Sequence, residues 1–495
     1  MGCIQVIVGL DIGTTSVKAL AVDGSGATLA RAVRRIRTRS EEPNQAEQDP
    51  QEIYRAVQDV LQEVGAAVVA LGNVVSHVGI SSAMHSVFVV DHAGDPITPM
   101  YTWMDLRAKD FSRDLLASKT GPRRYSRTGT PIHAMAPAIK LQWLRATNPH
   151  FFTEGHRFIS FKEWLWWKWF DEFVVDESMA SATGMFNLTT RQWDQETMDE
   201  LLISPSFLSR IASTKYTRTG MNTAELDKYG YTSETAVTIG ASDGVLANLA
   251  LGVTHPGKMV LTMGTSLAVR TGSQKIISDL VSRPFCYILD ELTYIVGGPS
   301  NSGGLVLEWL TRQIGEKNAQ AVDERLIEAQ HVVLDDLYFL PYVSGERAPI
   351  WDENATAAFV GLTAFTHPPQ LFRAAIEGIL YNARWIAEQL IGVTGDTPTT
   401  LILSGRPFAH PWIQQLAADI FGLPVYIANA DDASTKGAIV IARMAAQQGD
   451  LLTDFEKKGS DPDDDCLFPD RPEMLRHNGR FQRFQMLVKE LVLRP

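Results

Sequence analysis

A chain of 495 residues with 45% hydrophobic and 21% charged residues is too long for one core and has the balance of a soluble protein with two large domains. Its formal charge of −12 argues against nucleic acid or an anionic membrane as the main partner, so any anionic substrate must be held by local donors. Three scattered cysteines (Cys3, Cys286 and Cys466) lack metal-ligand spacing and fit a reducing cytoplasm better than a disulfide framework.

The opening segment MGCIQVIVGLDIG has neither a basic flank nor a small-residue cleavage site, and it runs straight into a strand pattern, which discounts a signal peptide and myristoylation at Gly2. No apolar run is long enough to span a bilayer. VIVGLDIGTTSVKALAVD alternates β-branched and small residues around a Gly-Thr-Thr turn and predicts a β-hairpin with GTTS at its tip. Asp49-Pro50 marks the start of a helix from about Gln51. SHVGISSAMHSVFVVD reads as two successive strands whose polar centre, Ser81 to Ser86, needs partners if buried. Residues 133–170 are mostly helical in pattern, and Trp164, Trp166, Trp167 and Trp169 point all round a helix, which predicts burial, with one ring at most reaching a substrate mouth.

Near Ile239 the sequence turns to small residues, IGASDGVLANLALGV, and the crossing between domains is expected there. GKMVLTMGTSLAVRTG then repeats the N-terminal logic: Gly264-Thr265-Ser266 echoes Gly13-Thr14-Thr15, and a duplication at this distance predicts two lobes of similar topology. Asp11 precedes the first turn and Thr262 the second, so only the first copy can bring a carboxylate to a metal. TTLILSG followed by HPWIQQLAADIFG puts Ser404-Gly405-Arg406 at a strand-to-helix turn able to hold a nucleotide, and DDASTKGAIVIARMAA starts another helix. The last 45 or so residues read as a peripheral tail, with Asp461, Asp463, Asp464 and Asp465 in a solvated acidic loop rather than a calcium loop.

A triphosphate requires converging N–H donors, and only small residues let a backbone come that close. GTTS supplies such donors together with the hydroxyls of Thr14, Thr15 and Ser16, and Asp11 stands where it would hold Mg²⁺ directly or through water. A GTT turn alone is more often an ordinary tight turn; its echo one domain later favours phosphate binding. Asp243, after an apolar strand, suits a base that accepts a proton from a substrate hydroxyl, and suits a helix N-cap equally well. Met84 and His85 suit a polyol pocket, although a lone histidine is more often structural. Trp103, Asp105 and Arg107 of TWMDLRA combine an indole face with charged groups, a sugar-site chemistry that a core tryptophan beside a surface ion pair would equally produce.

With these residues assembled, the chain resembles the FGGY carbohydrate kinases nearly end to end. MAPAIKLQWLRAT is similar to the family's first signature through Leu144, departing at Ala146 and Thr147. ATAAFVGLTAFTHPPQLFRAAIEG fits the second from Ala357 through Glu377, and SGERAPIWDENA, TMGTS and WIQQLAAD look like further family segments. The resemblance implies an α/β fold of two ribonuclease-H-like (actin-like ATPase) lobes with a central interdomain cleft. Lobes at 1–245 and 246–450 are expected, followed by a tail at 451–495. It implies ATP and Mg²⁺, with Asp243 as catalytic base and substrate contact and Asp11 as metal partner. Gly13, Thr14, Thr15, Ser16 and Lys18 would form the first phosphate region; Gly264, Thr265, Ser266 and Gly304 would belong to the second, and Gly405 and Arg406 to the adenosine motif. A second glycine is usual where Arg406 stands, so its side chain would either crowd adenine or add a contact.

Met84 and His85 are shared with xylulose kinases, whereas SSAMHS, TWMDLRA and GGPSNSGGLVLEWL look more like gluconate kinases. The expectation is therefore ATP-dependent phosphorylation of the terminal hydroxyl of D-gluconate, with Arg107, His85 and Lys162 as candidates for its carboxylate. A xylulose or other ketose kinase is the alternative, and a non-catalytic sugar-sensing protein the alternative of another class. Expected partners are a small sugar or sugar acid and ATP, with a homodimer as the assembly the family suggests.

Overall fold

The computed structural model describes residues 5–493, apart from 223, 225, 316–319, 429–431 and 447–465. The expected acidic loop at 461–465 and Cys3 lie outside the described residues.

The first lobe is built on strands β1 (Val6–Ile12), β2 (Ser16–Val22), β3 (Thr28–Arg35), β4 (Val75–Ser82), β5 (Thr217–Arg218) and β6 (Ala236–Ser242), in the spatial order β5-β6-β4-β1-β2-β3. β1, β2 and β3 form an antiparallel meander, while β4 pairs parallel with both β1 and β6. The second lobe holds β7 (Lys258–Met263), β8 (Leu267–Ser273), β9 (Phe285–Ile288), β10 (Tyr294–Ser300), β11 (Thr400–Ser404) and β12 (Val425–Ile427), ordered β9-β10-β8-β7-β11-β12. Its β7, β8 and β10 are again an antiparallel set, and β11 pairs parallel with β7 and β12. The two sheets thus share one five-strand plan, β3-β2-β1-β4-β6 matching β10-β8-β7-β11-β12. The duplication expected from the two Gly-Thr turns is present as topology. In both turns the glycine N–H makes the closing bond, with different spans: Gly13 N donates to Ser16 O at 3.0 Å, and Gly264 N donates to the nearer Ser266 O at 2.9 Å.

Parallel pairing demands crossovers, and helices supply them. α1 (Pro50–Ala70) begins where Asp49-Pro50 was expected to start it, with the Asp49 carboxylate accepting from Gln51 N at 2.8 Å. Its buried stripe, from Ile53 to Val68, covers one face of the first sheet. The region 133–170 is helical at Pro137–Thr147 and Phe161–Phe170, with a short strand, Arg157–Ile159, between them. Trp164, Trp166 and Trp169 are buried as expected, and none of the four tryptophans reaches the site described below.

Further helices are α2 (Asp243–Ala250), α3 (Gly304–Gln313), α4 (Gln320–Ala329), α5 (Pro368–Thr394), α6 (Pro411–Phe421), α7 (Ala433–Ala445) and α8 (Arg471–Leu491). Two expectations about the chain's second half need correction. α7 lies in the segment assigned to the second lobe, yet it packs on β1, β4 and β6 of the first sheet and on α2. Glycines make this possible: a Cβ at Gly9 would lie 2.3 Å from Thr435 O, one at Gly79 1.9 Å from Ala438 O, and one at Gly437 2.0 Å from Leu246 O. α8 is not peripheral either. Phe481, Phe484, Leu487 and Val488 are buried in the same core as Ile376 and Leu380 of α5. The Glu377 carboxylate receives Arg373 Nε at 2.8 Å and Arg480 Nη2 at 3.0 Å. A segment dense in charge looked solvated, but its aromatic and aliphatic residues occupy one side of the helix.

Candidate active site

Where the two hairpin turns face each other, residues of both lobes enclose a cavity of about 240 Å³. The first lobe contributes Thr14, Met84, His85, Trp103, Met135 and Asp243; the second contributes Ser266, Arg270, Phe285, Tyr287, Pro299 and Arg347.

Asp243 is the first residue of α2, directly after β6, and its Oδ1 accepts from Gly244 N at 2.7 Å. The carboxylate lines the cavity, and the N-cap position belongs to Ser242, so the N-cap reading of Asp243 is corrected. Burial and the negative charge of Asp11 push its carboxyl up to about 6, against the pull of the Gly244 N–H, Arg270 and Lys162. Lys162 stands behind this strand end. Its ammonium pairs with Asp176 Oδ2 at 2.6 Å and donates to Ile239 O at 3.2 Å and Ala241 O at 2.9 Å, which uses all three protons. It holds β6 in place and has no donor left for a substrate.

Asp11 is the next-to-last residue of β1 and is buried; Ser81 Oγ donates to its Oδ1 and Ser434 Oγ, from α7, to its Oδ2, each at 2.8 Å. Burial nonetheless raises its carboxyl above the ordinary range. A carboxylate held in this way beside Asp243 is a position that a hard cation would relieve. Among the described residues no three His, Cys, Asp or Glu side chains gather into a metal site, so Mg²⁺ would rely on Asp11 with water and phosphate oxygens for its other ligands. The residues fit that manner of binding.

His85 has φ of 67°, which turns its ring into the cavity. Its Nδ1 meets Ala182 O at 2.8 Å, and a carbonyl can only accept; Nδ1 therefore carries the proton and Nε2 accepts from Tyr287 OH at 3.2 Å. Burial and the charges of Lys140 and Arg347 drive its pKa down to about 3, so the ring is neutral. Trp103 Nε1 donates to Thr14 Oγ1 at 3.0 Å, tying the indole to the first turn.

The other two members of TWMDLRA are not brought to the cavity. Asp105 is buried under the loop, accepting from Ala46 N at 3.0 Å, and Arg107 pairs with it at 2.6 Å and with Glu47 at 2.5 Å while lying over the Trp143 ring. They brace the segment that presents Trp103. Lys18 does not line the cavity either; it pairs with Asp432 at 3.3 Å, and its charge acts on Asp11. Gly13 lies at the turn beside Thr14, and Thr15 and Ser16 complete its exposed and half-buried tip.

A second cavity of about 210 Å³ opens beyond the second turn. Met263, Gly264, Thr265, Gly304, Leu307, Val322, Asp323, Leu326, Arg406 and Pro407 line it, giving apolar walls with a polar rim. Gly304 N donates to Gly264 O at 2.8 Å, and a Cβ there would lie 2.7 Å from that oxygen, so α3 is seated on the turn. Gly405, with φ of 118°, approaches Met263 O so closely that a Cβ would come within 2.0 Å. The Arg406 side chain pairs with Asp323 of α4, which His410 also approaches at 3.4 Å. It is held at the rim, and so does not fill the pocket.

Sequence reasoning missed Arg270, Tyr287, Arg347 and Met135. Arg270 sits on β8 just past the second turn, and Arg347 lies in SGERAPIW, a family-like segment in which no residue was singled out. A charged residue within an apolar strand was the available signal for the first.

The N-terminal domain of the FGGY family of carbohydrate kinases matches residues 6–250, and the C-terminal domain of that family matches residues 259–446. A gluconokinase of Bacillus subtilis (strain 168) is 33% identical over 450 residues, covering 89% of this chain and 87% of its own length. The crystal structure of a gluconate kinase from Lactobacillus acidophilus superimposes with a TM-score of 0.91 at 31% identity, over 99% of this chain and 98% of that one. A ligand-bound xylulose kinase from Lactobacillus acidophilus does so with the same score and identity over 98% of both. On these matches along both lobes, the chain belongs to the FGGY family of carbohydrate kinases, which use ATP as phosphate donor.

Proposed function

We propose that the protein transfers the γ-phosphoryl group of ATP to the terminal hydroxyl of D-gluconate. The observation that carries this reading is the composition of the interlobe cavity: one carboxylate raised toward neutrality, Asp243, shares it with Arg270 and Arg347. A neutral ketose requires no such excess of positive charge, whereas a sugar acid does. The gluconokinase relatives point to the same substrate class.

In this mechanism Asp243 accepts a hydrogen bond from the terminal hydroxyl, orients it in line with the phosphoryl group, and takes its proton as the new P–O bond forms. A carboxylate with pKa of about 6 is ionised at neutral pH yet basic enough to accept that proton. Thr14 and Thr265, on the tips of the opposed turns, offer backbone and hydroxyl donors to the phosphate oxygens. The second cavity takes the adenosine, with Leu307, Val322, Leu326 and Pro407 against the base. Mg²⁺, held through Asp11, would neutralise charge between the phosphates. Trp103 and Met84 pack against the substrate's carbon chain, and the neutral His85–Tyr287 pair gives its hydroxyls a fixed donor–acceptor pattern.

Coupled ADP release with Mg-ATP against gluconate, xylulose, ribulose and glycerol tests the proposal, and turnover confined to gluconate is expected. Turnover on a ketose would keep the mechanism and replace the substrate. ATP binding without turnover on any of them would favour a sugar-sensing protein. Chelation by EDTA is expected to abolish ADP release, and added Mg²⁺ to restore it.

A further inference from the structure

Among the described residues, no carboxylate forms an ion pair with the buried guanidinium of Arg347, although the charge of the adjacent Glu346 acts on it. The Arg347 side chain is enclosed, its Nε has no hydrogen-bond partner, its Nη2 donates to Ser300 O at 3.0 Å, and its Nη1 reaches only Met135 Sδ at 3.9 Å. The neighbouring Glu346 carboxylate is already occupied by Ser300, Ser302, Asn382 and the backbone of Asn301 and Arg347. Lys140 donates to Ala134 O and Met135 O and forms no ion pair among the described residues. Burial, with the charges of Arg347 and Lys140 added to it, holds both His85 and His133 neutral. Burial of a guanidinium in this way is costly unless an anion completes it.

The cavity's other guanidinium, Arg270, has its charge directed at Asp243, the base of the proposed transfer. Arg347 lies instead over the Trp103 ring, 5.4 Å from its centroid, at the wall beside Met135. A sugar acid presents its hydroxyl terminus and its carboxylate at opposite ends of one chain. We propose that Arg347 is the specificity-determining residue that receives the substrate carboxylate, while the terminal hydroxyl meets Asp243. The assignment rests on the sugar-acid reading given above. Of the three sequence-based candidates for this role, Arg107 and Lys162 are committed to other partners, and the His85 ring is neutral.

The test compares kcat/KM for gluconate and for its uncharged amide, D-gluconamide, in the wild type and in Arg347→Gln and Arg347→Lys. The wild type is expected to prefer gluconate by about 100-fold, the effect of leaving a buried charged donor unpaired. Arg347→Gln should collapse that ratio to below about 3-fold, with the loss on gluconate mainly in KM, and Arg347→Lys should give an intermediate ratio, since it keeps the charge but not the fork. A ratio that stays near 100-fold in either folded variant, or equal losses on both substrates, would overturn the assignment. A wild type inactive on gluconate and active on a ketose would instead overturn the substrate reading on which it rests. Should Arg347→Gln fail to fold, the lysine variant alone decides.

Discussion

In the proposed mechanism Asp243 carries the proton transfer, and its environment sets two measurable consequences. Asp243→Asn should lower kcat by about 10²- to 10⁴-fold while ATP still binds, because the hydroxyl loses the acceptor of its proton. The pH profile of kcat/KM should show an acid limb near pH 6, from the carboxyl that burial and Asp11 have raised. His85 contributes nothing to that limb, since its pKa lies at about 3. The same shift acts on stability. A carboxyl raised from 3.8 to about 6 binds its proton more tightly in the folded state, so its favourable contribution is complete below about pH 4 and lost as pH rises through 6. At pH 7.5 the charged group opposes folding, and Asp243→Asn should melt at a higher temperature than the wild type; below pH 4 the difference should vanish. Calorimetry across that range checks the sign.

Among the elements, the most consequential placement is α7 on the first sheet. It brings Ser434 to Asp11 and joins the chain's late sequence to the strand that carries the metal-binding candidate. The approach depends on glycine in the strands, where a side chain would force the helix away. Gly79→Ala, whose Cβ would lie 1.9 Å from Ala438 O, is expected to cost about 2–3 kcal/mol in urea unfolding and to reduce turnover as Asp11 loses its Ser434 bond. The strands themselves were legible: the GTTS and GTS hairpins, the helix after Asp49-Pro50 and the strand ending at Ser404 fall where residue alternation and turn chemistry put them. The docking of α7 was not, because a run of small residues reports close packing without naming what it packs against.

At the scale of the whole molecule, two lobes of one topology enclose the cavity, and each is stabilised by a helix from the C-terminal part of the chain. α8 closes the second lobe through Phe481 and Phe484 and through Arg480, which shares Glu377 with Arg373. Arg480→Ala leaves Glu377 with Arg373 and a 3.4 Å bond from Tyr381 OH as buried partners, and a loss of about 3 kcal/mol is expected by denaturant titration. Removing α8 altogether should leave an insoluble chain, since its apolar side covers part of the second lobe's core.

The sequence by itself determined the family, the doubled architecture and the two Gly-Thr hairpin turns, because each depends on local patterns: turn residues, strand alternation and ordered motifs. The tertiary structure decided which charged residues face the cavity. Asp105, Arg107, Lys18 and Lys162 are as polar as Arg270 and Arg347, but the first four meet opposite charges or carbonyls away from it. Whether a cation is free for a substrate depends on the partners folding brings within about 3 Å of it, and those come from segments distant in the chain.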